Sequence, residues 1–208
     1  MSQLIVCRNA HGIILATDSK AVVMGLGGEV GHIEVNRMLQ LSEHTAIVTG
    51  GAEEGAEMLS RLKDFLLGEG LDDVQAIYEA TLPFLASEYE QFMQRKCDVH
   101  PLDPIHQVYF VLGGCTNQTS LHDFRLYLLW TKRKLPMLDG DEISVAYTAP
   151  RLMGLEYKLN KLCLENRPLK EIFSQVRAAM NERAKKDDEV GPPFKFAFIT
   201  RAGFEEVF

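Results

Sequence analysis

Leu4-Ile5-Val6-Cys7 and Ile13-Ile14-Leu15-Ala16 are two unbroken apolar runs on either side of the turn-forming Asn9-Ala10-His11-Gly12. Short runs without polar alternation predict strands covered on both faces, and the residues between them predict a hairpin. A hairpin of that kind has no face to give to water. The remaining chain must therefore supply cover on both sides.

Ala21-Val22-Val23-Met24 is followed by the glycine-rich Gly25 to Gly31, too flexible for a helix, and then by strand-like Arg37-Met38-Leu39-Gln40-Leu41 and Thr45-Ala46-Ile47-Val48-Thr49. From Ala52 the period becomes helical, with Ala56, Leu59, Leu62, Phe65 and Leu66 on one stripe, and a second helix is predicted from Asp72 to Gln94. Strand signals return in Gln107-Val108-Tyr109-Phe110-Val111-Leu112 and Phe124-Arg125-Leu126-Tyr127-Leu128-Leu129-Trp130, with the turn-rich Gly113 to Ser120 between them. Two more helices are expected over Pro150 to Leu164 and Pro168 to Ala184, with Pro168 placed where its missing N–H costs nothing. Phe194 to Thr200 and a short strand after Ala202-Gly203 close the chain. The order ββ, αα, ββ, αα, β predicts an α+β fold: a four-layer αββα sandwich of two antiparallel sheets between helix pairs. At 208 residues, 46% hydrophobic and 25% charged, the chain is expected to form a single domain over 1–208.

Composition narrows the function classes. No apolar run approaches the roughly 20 residues that span a bilayer, and the N-terminus lacks a signal peptide's basic start and apolar stretch, so a cytoplasmic location is expected. Cys7, Cys97, Cys115 and Cys163 are scattered and form no CxxC, which predicts reduced, mostly buried thiols, with Cys7 inert inside its strand. A net charge of −7 offers no basic face to nucleic acid. His11, His32, His44, His100, His106 and His122 show no metal-ligand spacing, no GK[ST] follows Gly25 to Gly31, and neither metal nor cofactor is expected.

The chemistry points to the N-terminus. Ser2 follows Met1, and methionine removal normally requires such a small second residue. The exposed residue would carry a hydroxyl and an α-amine of pKa about 7.7–8 on one carbon, so nucleophile and base would be one residue. Sixteen positions later Asp18 closes the run Gly12 to Lys20.

With that register, the chain resembles the proteasome β-subunit family and its simpler bacterial relatives, a branch of the N-terminal nucleophile hydrolases. In that family an acidic residue follows the nucleophile at this spacing on a strand like Gly12 to Ala21. A basic residue and a Gly-Gly follow, matched by Arg37 and by Gly50-Gly51. Phe196-Ala197-Phe198-Ile199-Thr200-Arg201 resembles its late strand. The resemblance implies Ser2 as nucleophile, its amine as base, Asp18 and Arg37 as the orienting charges, and the Gly51 N–H as an oxyanion donor. It implies amide hydrolysis through an acyl-enzyme, a self-compartmentalising homo-oligomer, and peptides or unfolded protein as substrates. Processing would need only loss of Met1.

Three departures accompany it. The family has threonine where Ser2 stands, and serine lacks the methyl that restricts χ1. It has lysine where Arg37 stands; arginine keeps its proton and supplies only fixed positive charge, with a fork that could hold Asp18 bidentately. Its late serines are replaced by Tyr147-Thr148-Ala149-Pro150 and by Asp187-Asp188-Glu189-Val190-Gly191, which keeps Asp187 but puts Val190 at the serine position; Thr148 is a candidate substitute hydroxyl. The substrate pocket would be lined by Ala21, Val35, Thr49, Glu53 and Glu57, whose two carboxylates favour a basic side chain before the scissile bond. Two alternatives stay open: a non-catalytic ring or interaction subunit, and an amidase or transpeptidase with one particular substrate.

Overall fold

The computed structural model describes residues 2–24, 30–96, 107–116, 123–131 and 138–207. Met1, residues 25–29 of the glycine-rich loop, Cys97, His100, His106 and His122 lie outside the described residues.

β1 (Leu4–Asn9) and β2 (Gly12–Asp18) form an antiparallel hairpin in register from Leu4 opposite Thr17 to Asn9 opposite Gly12. Successive strand side chains point to opposite faces. Accordingly, Leu4, Val6, Ile13 and Leu15 enter one apolar cluster, and Ile5, Cys7, Ile14 and Ala16 enter another. β10 (Ala146–Ala149) pairs with the outer side of β1, while β11 (Phe194–Thr200) and β12 (Gly203–Val207) extend the sheet beyond β2, giving the order β10-β1-β2-β11-β12.

A second five-stranded sheet runs β5 (Met38–Ser42), β6 (Thr45–Gly51), β7 (Val108–Thr116), β8 (Asp123–Thr131) and β9 (Leu138–Glu142), each strand antiparallel to the next. Its Met38, Ala46, Val48, Val111 and Leu126 share a cluster with Leu4, Val6, Ile13 and Leu15. Ile47, Phe110, Leu112 and Leu129 instead meet α1 (Glu54–Glu69) and α2 (Val74–Lys96) through Met58, Leu62, Ile77 and Phe92. α3 (Met153–Leu164) and α4 (Leu169–Lys186) cover Ile5, Ile14 and Ala16 with Leu159, Cys163, Ile172, Val176 and Met180, at the helical spacing of four.

The expected four-layer αββα sandwich of two sheets is corrected here. The described residues form three antiparallel sheets with four helices, and the third, β3 (Lys20–Met24) paired with β4 (Val30–Glu34), belongs to neither five-stranded sheet. A mixed α+β architecture is the statement that holds. The cause lies at Ser19: β2 keeps pairing with β11 as far as Asp18 opposite Phe194, whereas Lys20 already faces Glu34. The run Gly12 to Lys20 is thus one stretch in sequence and two strands in space.

Helix ends shift for local reasons. Asp73 Oδ1 accepts the N–H groups of Gln75 and Ala76, so α2 starts behind that cap rather than at Asp72, and it continues through Pro83 to Lys96. Among the described residues no helix is long and apolar enough to cross a membrane.

Leu15→Ala removes a fully buried side chain from a strand paired on both edges and should cost about 2–5 kcal/mol of unfolding free energy. Leu67→Ala, on a side chain 68% exposed, should stay within about 0.5 kcal/mol, both read by denaturant titration.

Candidate active site

The hairpin register explains the spacing of Ser2 and Asp18. Continuing the β1–β2 ladder one step past Leu4 and Thr17 sets Gln3 against Asp18, and the two close a reciprocal clasp. The Gln3 N–H donates to Asp18 Oδ1 at 2.9 Å, and the Asp18 N–H donates to the Gln3 carbonyl at 3.2 Å. The Gln3 side chain is buried as well, its Nε2 reaching the carbonyls of Leu4 and Ala149. Ser2 is thereby fixed from its C-terminal side.

Across from it, the Gly51 N–H at the end of β6 donates to Ser2 Oγ at 2.8 Å. Gly51 has φ +90°, and a Cβ there would stand 2.1 Å from the Gln107 carbonyl oxygen, so only glycine presents its N–H this way. Gly50 is equally confined: a Cβ on it would lie 3.0 Å from Ser2 Oγ and 2.5 Å from Cε2 of Tyr109, the residue opposite on β7.

Arg37 precedes β5 and is buried, with its carbonyl accepting the Thr49 N–H at 2.9 Å and its Nη1 reaching the Gly51 carbonyl at 3.5 Å. The bidentate Asp18–Arg37 fork expected from sequence does not form; Asp18 Oδ2 and Arg37 Nε are both buried without a hydrogen-bond partner. The two charges act through space. Burial pushes the Asp18 carboxyl up to about 6, against the opposing pull of the Gln3 N–H and the Arg37 charge. Burial likewise lowers Arg37, offset by the nearby Asp18, Tyr109 and Glu53.

The late-chain candidates are engaged elsewhere. Asp187 ends α4, where it takes Arg183 Nη2 at 2.5 Å and the Glu189 N–H at 3.1 Å. Val190 is buried. The Thr148 hydroxyl donates to Glu156 Oε1 at 2.7 Å and accepts the Leu152 N–H at 2.7 Å, so it is committed to the start of α3. Glu156 is buried there; burial raises its carboxyl, but the two-pronged Arg151 and the Thr148 donors outweigh that and hold it below its ordinary value.

The expected pocket residues divide. Ala21 is buried on β3 opposite Ile33, and Val35 is half-buried with its N–H on the Ser19 carbonyl. Thr49 is fully buried, its hydroxyl given to the Tyr109 carbonyl at 3.2 Å and packed against Gly55. Glu53 is exposed at the start of α1, and Glu57 is exposed one turn on, 3.8 Å from Arg61. Gln3 and Tyr109 are the site neighbours that the sequence left unmarked. Hairpin register gives Gln3 away, but nothing in the run Gln107 to Leu112 distinguishes Tyr109.

No protein-family model matches this sequence, and no curated protein matches it significantly.

An Asp18 carboxyl raised from 3.8 to about 6 binds its proton more tightly in the folded state. Its stabilising contribution is therefore complete below about pH 4 and lost as pH rises through about 6. Asp18→Asn keeps the oxygen that accepts the Gln3 N–H and removes the titration. Whatever offset it brings at pH 4, the variant should gain on the order of 3 kcal/mol relative to the native chain by pH 7. Paired thermal melts at the two pH values measure this; a pH-independent difference would contradict it.

Proposed function

We propose that this chain is a proteasome-like peptidase in which Ser2, freed by removal of Met1, is an N-terminal nucleophile. The observation that carries the reading is the Gly51 N–H on Ser2 Oγ at 2.8 Å, beside a clasp that ties the adjoining Gln3 to Asp18. A neutral α-amine on Ser2 takes the Oγ proton as Oγ attacks a peptide carbonyl. The acyl-enzyme forms as the amine leaves, and water then releases the acid. The Arg37 charge favours the neutral form of that amine. Gly51 sits on a strand end where its N–H can turn to the developing oxyanion, a contact of a kind worth about 2.7–4 kcal/mol of barrier. A cytoplasmic homo-oligomer acting on peptides or unfolded protein goes with this reading.

The non-catalytic subunit has its own support: Thr148 and Asp187, the candidates nearest in sequence to the family's late hydroxyls, are spent on Glu156 and Arg183. A peptide epoxyketone separates the two, because it needs a hydroxyl and a free α-amine on one residue. The expected result is an intact-mass adduct on Ser2 that disappears in Ser2→Ala. Loss of Met1 with no adduct at high inhibitor would favour the silent subunit.

With Glu57 turned to Arg61, any preference for a basic side chain rests on Glu53. Arginine-ended fluorogenic peptides should be cleaved faster than leucine-ended ones, and Glu53→Gln should erase the difference; equal initial rates in the native protein would contradict it.

A further inference from the structure

Amide hydrolysis needs a proton on the departing nitrogen as well as a base at the nucleophile. Four of the side chains near this site are poorly placed to give one directly. Arg37 keeps its proton. Thr148 and Asp187 are held by Glu156 and Arg183, and the Thr49 hydroxyl is given to a backbone carbonyl.

Tyr109 is differently placed. Its ring edge and Ser2 Oγ flank the same point above Gly50, where a Cβ would lie 2.5 Å from Tyr109 Cε2 and 3.0 Å from Ser2 Oγ. Its ring is half-buried beside Arg37, and its hydroxyl is in hydrogen-bonding contact with the Ser2 side chain. We infer that the Tyr109 hydroxyl is the acid of this site, delivering the proton to the leaving amine. The inference rests on the Ser2 reading above.

The protons balance without a further reactant. Ser2 Oγ–H passes its proton to the α-amine as the Oγ–C bond forms. As the C–N bond breaks, the phenol proton moves to the departing nitrogen and the α-ammonium returns one to the phenolate. The net transfer is from Oγ to the amine product. Burial raises the phenol above its ordinary value, while the Arg37 charge and the Ser2 side chain pull it back, so it remains protonated at neutral pH.

The test compares Tyr109→Phe on a peptide amide and on the matching p-nitrophenyl ester, whose leaving group departs without a proton. Phenylalanine keeps the ring over Gly50. Amide kcat should fall by about 100-fold or more while ester turnover changes by less than about threefold. An equal fall on both substrates, or no change on either, overturns the assignment. Should the variant not fold, fluorotyrosine at position 109 supplies the second reading: the alkaline limb of amide turnover should move to lower pH, and an unmoved limb overturns it. Ser2→Ala separates the two levels. Retained turnover there removes the Ser2 reading and this one together, whereas lost turnover with an undiscriminating Tyr109→Phe removes Tyr109 alone.

Discussion

The β1–β2 hairpin has apolar side chains on both faces, and the rest of the molecule is arranged to cover it. Leu4, Val6, Ile13 and Leu15 are met by strands of the second five-stranded sheet, and Ile5, Cys7, Ile14 and Ala16 by α3 and α4. Leaving either face wet would forfeit about 25 cal/mol for each Å² of apolar surface exposed. This requirement brings Ser2 deep into the structure. The segment carrying Ser2 is anchored because the strand that follows it is central and paired on both edges.

Burial at that end has an electrostatic cost. Asp18 and Arg37 both lie out of water, yet they do not meet as an ion pair, and an atom of each is left without a hydrogen bond. Unsatisfied buried polar atoms are rare in structures selected for stability alone, and they concentrate where a site is strained for use. Here Asp18 clasps Gln3, next to the serine that Gly51 addresses with its N–H, and Arg37 reaches the Gly51 carbonyl. By contrast, the buried Glu156 has its charge matched by Arg151 and its oxygens satisfied by Thr148, which is the arrangement of a structural joint.

Much of the fold was legible because apolar periodicity reports burial directly. Strands at Leu4–Asn9, Thr45–Gly51 and Phe194–Thr200 and the four helices follow from it, with ends moved by caps such as Asp73. β9 was not anticipated: Leu138–Glu142 has no apolar run, and it is a strand because it pairs along the edge of β8, where Gly140 lets the Tyr78 hydroxyl approach. β4 was hidden similarly, since a two-stranded ribbon needs only backbone partners. The two-sheet expectation failed at Ser19, where nothing in the residues says that the ladder changes partner.

For the candidate site, the sequence by itself determined that Gln3, the residue next to Ser2, faces Asp18, since a hairpin with a fixed turn fixes which residues oppose each other. The resemblance put Gly50-Gly51 at a strand end, and the structure supplies the reason for glycine there: side chains would collide with neighbouring backbone and rings. Only the tertiary structure decided which groups surround Ser2. Arg37 approaches without clasping Asp18, Asp187 turns to Arg183, Glu57 to Arg61, and Tyr109 arrives from a strand more than a hundred residues away. Local pattern encodes which face of an element is buried, whereas the neighbours across that face depend on how separate sheets and helices stack, and no short stretch of sequence carries that information.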